Sequence, residues 1–203
     1  MRWPMLAICL LSCVRSSKTQ IKSGGAEAST AAFCPAATVD AFQPAAWIAP
    51  HSAKGVCSDV DLDDYLRDCL VEATAIPIAC QQFVANHAAC ANCLLPADST
   101  GGEGVLRNRA GGVEVNVGGC IAIVLGDSRP TGCGAREQAA RDCATFACSG
   151  CTDASGCAVQ ARQNACSEYQ LRTCGELAGA APCALDRGFA DDYRAVAKIF
   201  CGA

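Results

Sequence analysis

Aromatic side chains are scarce in this chain: two Trp, three Tyr and six Phe, 5% of 203 residues. The apolar fraction is therefore mostly Ala and Cys with some Val and Leu. Small side chains bury little area each, so apolar packing alone makes a thin core for a chain of this length. Histidine is limited to His51 and His87. Basic residues are few and form no patch, and the net charge is −4, which argues against nucleic acid or an anionic membrane surface as a partner. No phosphate-binding glycine loop, nucleophile elbow or pair of catalytic carboxylates can be picked out. The apolar run from Trp3 to Leu11 is too short to span a bilayer.

What the chain has in excess is cysteine, 18 residues, a proportion that marks a disulfide scaffold. Cys9 and Cys13 fall in the N-terminal apolar stretch; the rest are even in number, as full pairing in an oxidising compartment requires. Met1 to Cys13, MRWPMLAICLLSC, has one positive charge followed by an apolar run and reads as a signal peptide. Leu10-Leu11-Ser12-Cys13 looks like a bacterial lipobox, which makes Cys13 a lipidation candidate. Residues 14–33 are polar and rich in Ser, Gly and Ala, the composition of a flexible linker. The expected location is extracytoplasmic: secreted, or held at a bacterial cell envelope as an outer-membrane lipoprotein. Membrane contact would come only through the N-terminal lipid.

From Cys34 onward one disulfide-stapled domain, 34–203, is expected: mainly α, built of helical hairpins with one small β-hairpin. Cys34 to Cys57 carries three prolines and reads as irregular. Ser58 is a natural N-cap, with Asp61 three residues on, and Leu62, Leu66, Cys69 and Ala73 follow at helical spacing. A second helix is predicted to start at Pro77, carry Cys80, Phe83, His87, Cys90 and Leu94 on one face, and stop at Pro96. Val113–Val117 alternates, Gly118-Gly119 resembles a two-residue turn, and Cys120–Leu125 returns. That pattern predicts a β-hairpin over 113–125, joining lobes 34–96 and 133–203. Helices are expected near Ala135–Cys148 and Cys157–Leu177, and a last one with Phe189, Tyr193, Val196 and Phe200 inward and Gly202 as its stop.

Sixteen cysteines allow about two million full pairings, so connectivity cannot be read directly. Antiparallel helices narrow it, because facing residues then have numbers with a nearly constant sum. The rule selects Cys148 with Cys157, Cys143 with Cys166 and Cys133 with Cys174 in one hairpin, and Cys69 with Cys80 and Cys57 with Cys90 in the other. Cys157 and Cys166 stand about 180° apart on an ideal helix, so both cannot face one partner unless Cys157 lies in the turn. Cys151 is left over, with Cys34, Cys93, Cys120, Cys183 and Cys201 as candidate partners. Cys80-x9-Cys90-x2-Cys93 partly matches Cys133-x9-Cys143-x4-Cys148-x2-Cys151, a hint of duplication.

Several motifs resemble chemistry. The C-x-x-C pairs Cys90/Cys93 and Cys148/Cys151 lack zinc knuckles between them, follow helices rather than strands, and have no histidine next in line for haem. His87 shares a predicted face with Cys80 and Cys90, which admits a metal site but fits a packed core histidine better. Ile121 to Gly132, IAIVLGDSRPTG, resembles the first block of the GDS(L) esterases, with Ser128 as nucleophile. No histidine follows Ser128 to activate it. Asp59, Asp61, Asp63 and Asp64 imitate the start of a calcium loop without its Gly and Glu, and favourable placement at a helix N-terminus explains them.

Cys57-x11-Cys69, Cys80-x9-Cys90-Ala-Asn-Cys93, Asn116-Val-Gly-Gly-Cys120-Ile-Ala and the Cys143–Cys174 run together resemble a group of uncharacterised bacterial secreted Cys-rich proteins, many with lipoprotein signals. The resemblance implies location and architecture and no activity. The expectation is a non-enzymatic structural or binding module without catalytic residues, cofactor or metal, meeting an unidentified protein or surface partner through the loops 97–112 and 34–57. A small hydrolase using Ser128 and a metal or redox protein are the alternatives.

Overall fold

Ser58 opens the first regular element of the computed structural model, which describes residues 34–71, 77–97, 101–109, 112–152, 154–170, 174, 182–183 and 187–202. The signal segment with Cys13 and the linker 14–33 lie outside the described residues. The Ser58 hydroxyl accepts the Asp61 N–H at 3.2 Å while the Asp61 carboxylate accepts the Ser58 N–H at 2.8 Å, a reciprocal cap. Helix α1 (Asp59–Tyr65) then widens into one π turn over Leu66–Leu70, where the Val71 N–H donates to the Leu66 carbonyl. Ala73 lies outside the described residues.

Pro77 starts α2 (Pro77–Asn86), but the helix breaks at His87 (φ −122°, ψ 44°) and resumes as α3 (Ala88–Leu94). A uniform period cannot register a one-residue break, and the break turns His87 out of the expected apolar face. His87 is exposed, stacked on Phe83 with centroids 4.8 Å apart and paired with Asp61 at 2.9 Å.

The β-hairpin exists but not at 113–125. Strand β1 (Leu106–Arg109) pairs antiparallel with β2 (Gly112–Val115), with Leu106 opposite Val115 and Arg107 opposite Glu114. Residues Val117–Leu125 form helix α4 instead. Two local signals explain the outcome. The buried Asn116 side chain accepts the Gly119 N–H at 2.7 Å as an N-cap, and Gly126 (φ 64°) closes the helix in the left-handed conformation. A short apolar run such as CIAIVL has no period that separates strand from buried helix. The loop expected over 97–112 is thus partly sheet, and Val105 and Leu106 are core residues.

Helices α5 (Cys133–Ala147) and α6 (Ala154–Gln163) make the C-terminal hairpin, followed by a 3₁₀ turn at Ser167–Tyr169. The second arm is shorter than expected, ending at Gln163. Cys166 lies past that end while Cys157 sits in the first turn of α6, so both reach α5 from different elements. Helix α7 (Phe189–Phe200) buries Tyr193, Val196 and Phe200, but Phe189 stays 40% exposed. Gly202 has no left-handed φ; it bridges to Cys57. Residues 53–57 run along 200–202, donating from Ala53, Gly55 and Cys57 to the carbonyls of Phe200, Gly202 and Cys201.

Two cores result, and they do not divide along the expected lobes. The first gathers α1 to α4, β1 and α7 around Leu62, Leu94, Val105, Ile121 and Phe200, so the C-terminal helix belongs with the N-terminal half. Its aromatics are concentrated: Tyr65 lies edge-on to Phe83 and stacks on Tyr193, whose hydroxyl donates to the Leu62 carbonyl at 3.3 Å. The buried part of the second core is Ala and Cys only, with Cys143, Ala144, Ala147, Cys148, Cys157, Ala161 and Cys166, under partly buried Phe42 and Tyr169.

Eight cystines staple these cores: Cys34–Cys151, Cys57–Cys90, Cys69–Cys80, Cys93–Cys201, Cys120–Cys183, Cys133–Cys174, Cys143–Cys166 and Cys148–Cys157. The five pairs that the constant-sum rule selects are among them. Cys151, left over by that rule, takes Cys34 across 117 residues of chain. Where side chains bury so little area, bridges worth roughly 2–4 kcal/mol each supply what packing does not.

Candidate functional site

The sequence motifs that resembled chemistry are absorbed by the scaffold. All four cysteines of the C-x-x-C pairs are in cystines with other partners, so none offers a thiolate in this oxidised state. Cys80 and Cys90, expected beside His87, are likewise bridged to Cys69 and Cys57. The acidic cluster of α1 is taken up by cations: Asp59 pairs with Lys198, Asp63 with Arg194 and Asp64 with Arg67, while Asp61 serves the cap and His87. The Ser58 N–H and hydroxyl hold the Asp61 carboxyl below the usual carboxylate range. Ser128 is exposed in the loop after α4, where its carbonyl accepts the Trp47 indole N–H at 2.9 Å. Beside it, hydrogen bonds from Arg129 lower the Asp127 carboxyl to about 2.

The feature that sequence reading missed is an ionic cluster built around a buried arginine. Arg107 on β1 is only 6% exposed and lies 2.9 Å from Glu103, 3.0 Å from Glu114 and 3.7 Å from Asp142. Arg109 binds Glu114 at 2.7 Å and donates to the Asp142 carboxylate as well. Two guanidiniums thus face three carboxylates drawn from the hairpin, the chain before it, and α5. Burial pushes the Glu103 carboxyl above its ordinary value, with Arg107 pulling back. Asp142 makes the cluster a tie between the hairpin and α5, and so between the two cores.

Arg107 and Glu114 of this cluster line a cleft of about 750 Å³ between β2, the start of α4, α5, α6 and the start of α7. Val113, Glu114 and Val115 all line it. Arg107 of β1, the residue opposite Glu114, lines it as well, so both strands of the hairpin contribute to this wall. Strand β2 pairs with β1 on one edge, and among the described residues no strand pairs with its other edge. Across the cleft stand Gln138 and Arg141 of α5, and Val159 and Arg162 of α6.

Three lining residues carry a buried polar atom without a hydrogen-bond partner: Arg107 Nε, which pairs ionically with Glu103, Gln138 Oε1 and Arg162 Nε. Gln138 as a residue is 3% exposed. Charge in the cleft is compensated internally, since Glu137 takes Arg141 at 2.8 Å and both oxygens of Glu137 take Arg162 at 2.7 and 2.8 Å. The site is therefore not an anion trap. Its lining residues carry one unpaired acceptor and one unpaired donor, both buried, between apolar walls, and Phe189 and Val159, 40% and 58% exposed, are among them.

Compared with known proteins, the chain matches no family model, no curated protein and no solved structure. The cleft and the cystine framework carry the functional argument alone. A cystine content of this order suits an oxidising, extracytoplasmic environment.

Proposed function

We propose that this chain is a non-enzymatic binding module, secreted or anchored at the cell envelope through a lipid on Cys13, that takes an extended peptide segment of a partner protein into the cleft along β2. The observation that carries this reading is the buried, unpartnered Oε1 of Gln138, a residue of α5 that lines the cleft together with β2. A buried acceptor without a donor costs about 1–3 kcal/mol, and an entering N–H group removes that cost. A peptide brings such N–H groups in alternation with carbonyls, one of which suits the unpaired Arg162 Nε–H. Strand addition at an edge, with side chains placed alternately in apolar pockets, is a general mode of peptide capture. Val113, Val115 and Val159 provide apolar walls, and Phe189 an exposed aromatic surface beside them. Residues 1–13 as signal and 14–33 as tether would place the module outside the cytoplasm.

The test is an NMR titration of the intact oxidised protein with blocked extended hexapeptides, acetylated and amidated, of apolar–polar alternating sequence. Amide shifts concentrated on residues 113–118, 138–145 and 155–162 support the reading, and a Gln138→Met variant should bind at least tenfold more weakly. Shifts scattered over the surface, or wild-type affinity retained by both Gln138→Met and a Thr145→Trp variant that fills the cleft, would refute it.

A further inference from the structure

Three sulfur atoms, those of Cys148, Cys151 and Cys157, lie within 4.8 Å of one another although they belong to two different bridges. The chain itself brings them together. Cys148 ends α5, and its carbonyl accepts the Cys151 N–H at 3.0 Å, closing the turn Cys148-Ser149-Gly150-Cys151. Cys157 enters from the first turn of α6. Cys148 and Cys157 are buried, whereas Cys34 and Cys151 are half-buried, so an external thiol meets the Cys34–Cys151 bridge before the one behind it.

We propose that Cys148, Cys151 and Cys157 form a thiol–disulfide exchange centre opened by an external dithiol. This goes beyond the peptide-binding reading and does not depend on it. One thiolate of the dithiol attacks Cys34 Sγ, the Cys34–Cys151 bond breaks, and Cys151 leaves as a thiolate. The second thiol of the reductant then displaces Cys34 as a free thiol, and the reductant departs as its own disulfide, having supplied both electrons. The Cys151 thiolate next attacks Cys148 Sγ. A Cys148–Cys151 bond forms, the Cys148–Cys157 bond breaks, and Cys157 leaves as a thiolate that is protonated from water. This second step consumes no electrons, because one disulfide replaces another. The turn already closed by the Cys151 N–H preorganises the new bridge.

The consequence is mechanical. Cys148–Cys157 fastens the start of α6 to the end of α5, and its neighbours Ser155, Gly156, Ala158 and Val159 line the cleft. Exchange releases that wall, and it also frees residue 34 from α5.

Two experiments test it by non-reducing peptide mapping after alkylation. Wild-type protein is treated under native conditions with dithiothreitol until about two thiols per chain appear. The expected labels are Cys34 and Cys157, with a Cys148–Cys151 linked peptide. Labels on Cys34 and Cys151 with Cys148–Cys157 intact overturn the proposal, as does first opening of any other bridge. A Cys34→Ser variant, oxidised and unreduced, leaves one odd thiol in the cluster. Label on Cys157 in about a tenth or more of the molecules supports exchange, and label confined to Cys151 refutes it. Should that variant fail to fold, the wild-type mapping decides.

Discussion

Replacing Gly134 with Ala tests a close approach between helices α4 and α5. A Cβ at Gly134 would lie 2.3 Å from the Gly118 carbonyl oxygen and 2.8 Å from Ala122 Cβ, and one at Gly118 would lie 2.6 Å from the Gly134 carbonyl. The two glycines face each other where α4 crosses α5, and the obstacles include backbone, which cannot rotate aside. To bring the worst contact to 3.0 Å, α4 must retreat by about 0.7 Å. Overpacking of this kind costs about 1–3 kcal/mol. Ala gains up to about 1 kcal/mol over Gly in a helix interior, and less at the second position of α5. The net expectation is a loss of about 1–2 kcal/mol, or about 0.5–1 M in the urea midpoint at an ordinary m-value.

The assay is urea unfolding of the oxidised protein beside Gly150→Ala, where an added Cβ meets nothing within 4 Å. Gly118→Ala should fall in the same direction as Gly134→Ala. A Gly134→Ala protein that unfolds at the wild-type midpoint refutes the argument, and so does an equal fall in Gly150→Ala. Because Gly118, Gln138, Arg141 and Ala144 all line the cleft, the same retreat of α4 should also alter ligand affinity.

Other perturbations have clear signs. Arg107→Met leaves Glu103, Glu114 and Asp142 with only Arg109 among them and should cost about 3–5 kcal/mol in thermal or urea unfolding; adding Glu103→Gln should recover part of that loss. Asn116→Ala removes the cap on Gly119 and the donor to the buried Gly104 carbonyl at 2.9 Å, a loss of about 2–4 kcal/mol that circular dichroism with urea would read. Asp61 has a lowered folded-state value, so its contribution is present above the unfolded carboxylate range near about pH 4 and is lost as pH falls through the folded value. Asp61→Asn should flatten the acid limb of stability against pH. Glu103, raised by burial, works the other way: its contribution is full in acid and is lost as pH rises through its raised value.

Much of the fold was legible because disulfide spacing and helix caps are local signals. Ser58 with Asp61 announced α1, and antiparallel numbering singled out five bridges without any three-dimensional information. The failures share a physical cause. His87 breaks a helix whose apolar spacing runs on unchanged, since the Asp61 pair acts from outside that period. Gly118-Gly119 reads as a turn between strands until Asn116 is seen as a cap, and their small size then answers to α5 and to the Asn116 amide. The notation Asn-x-x-Gly followed seven residues later by Gly126 was a usable helix signal, outweighed by the β-branched run between.

The cleft left no such trace. Glu103, Arg107, Arg109, Glu114 and Asp142 have no diagnostic spacing, and each alone reads as a solvated charge. They converge because the hairpin is displaced from its expected place, which puts β1 rather than a loop against α5. Gln138 is more hidden still, since a glutamine amid Ala, Arg and Glu on an amphipathic helix predicts exposure. Its burial follows from the close glycine crossing, where an added Cβ on Gly118 would lie 3.0 Å from Gln138 Cβ. Small residues at that crossing let α4 cover the polar side chain and leave its Oε1 buried without a donor. The same scarcity of large side chains that makes bridges necessary therefore also makes the site: an Ala- and Gly-rich framework packs backbones closely, and the cleft lies beside that packing.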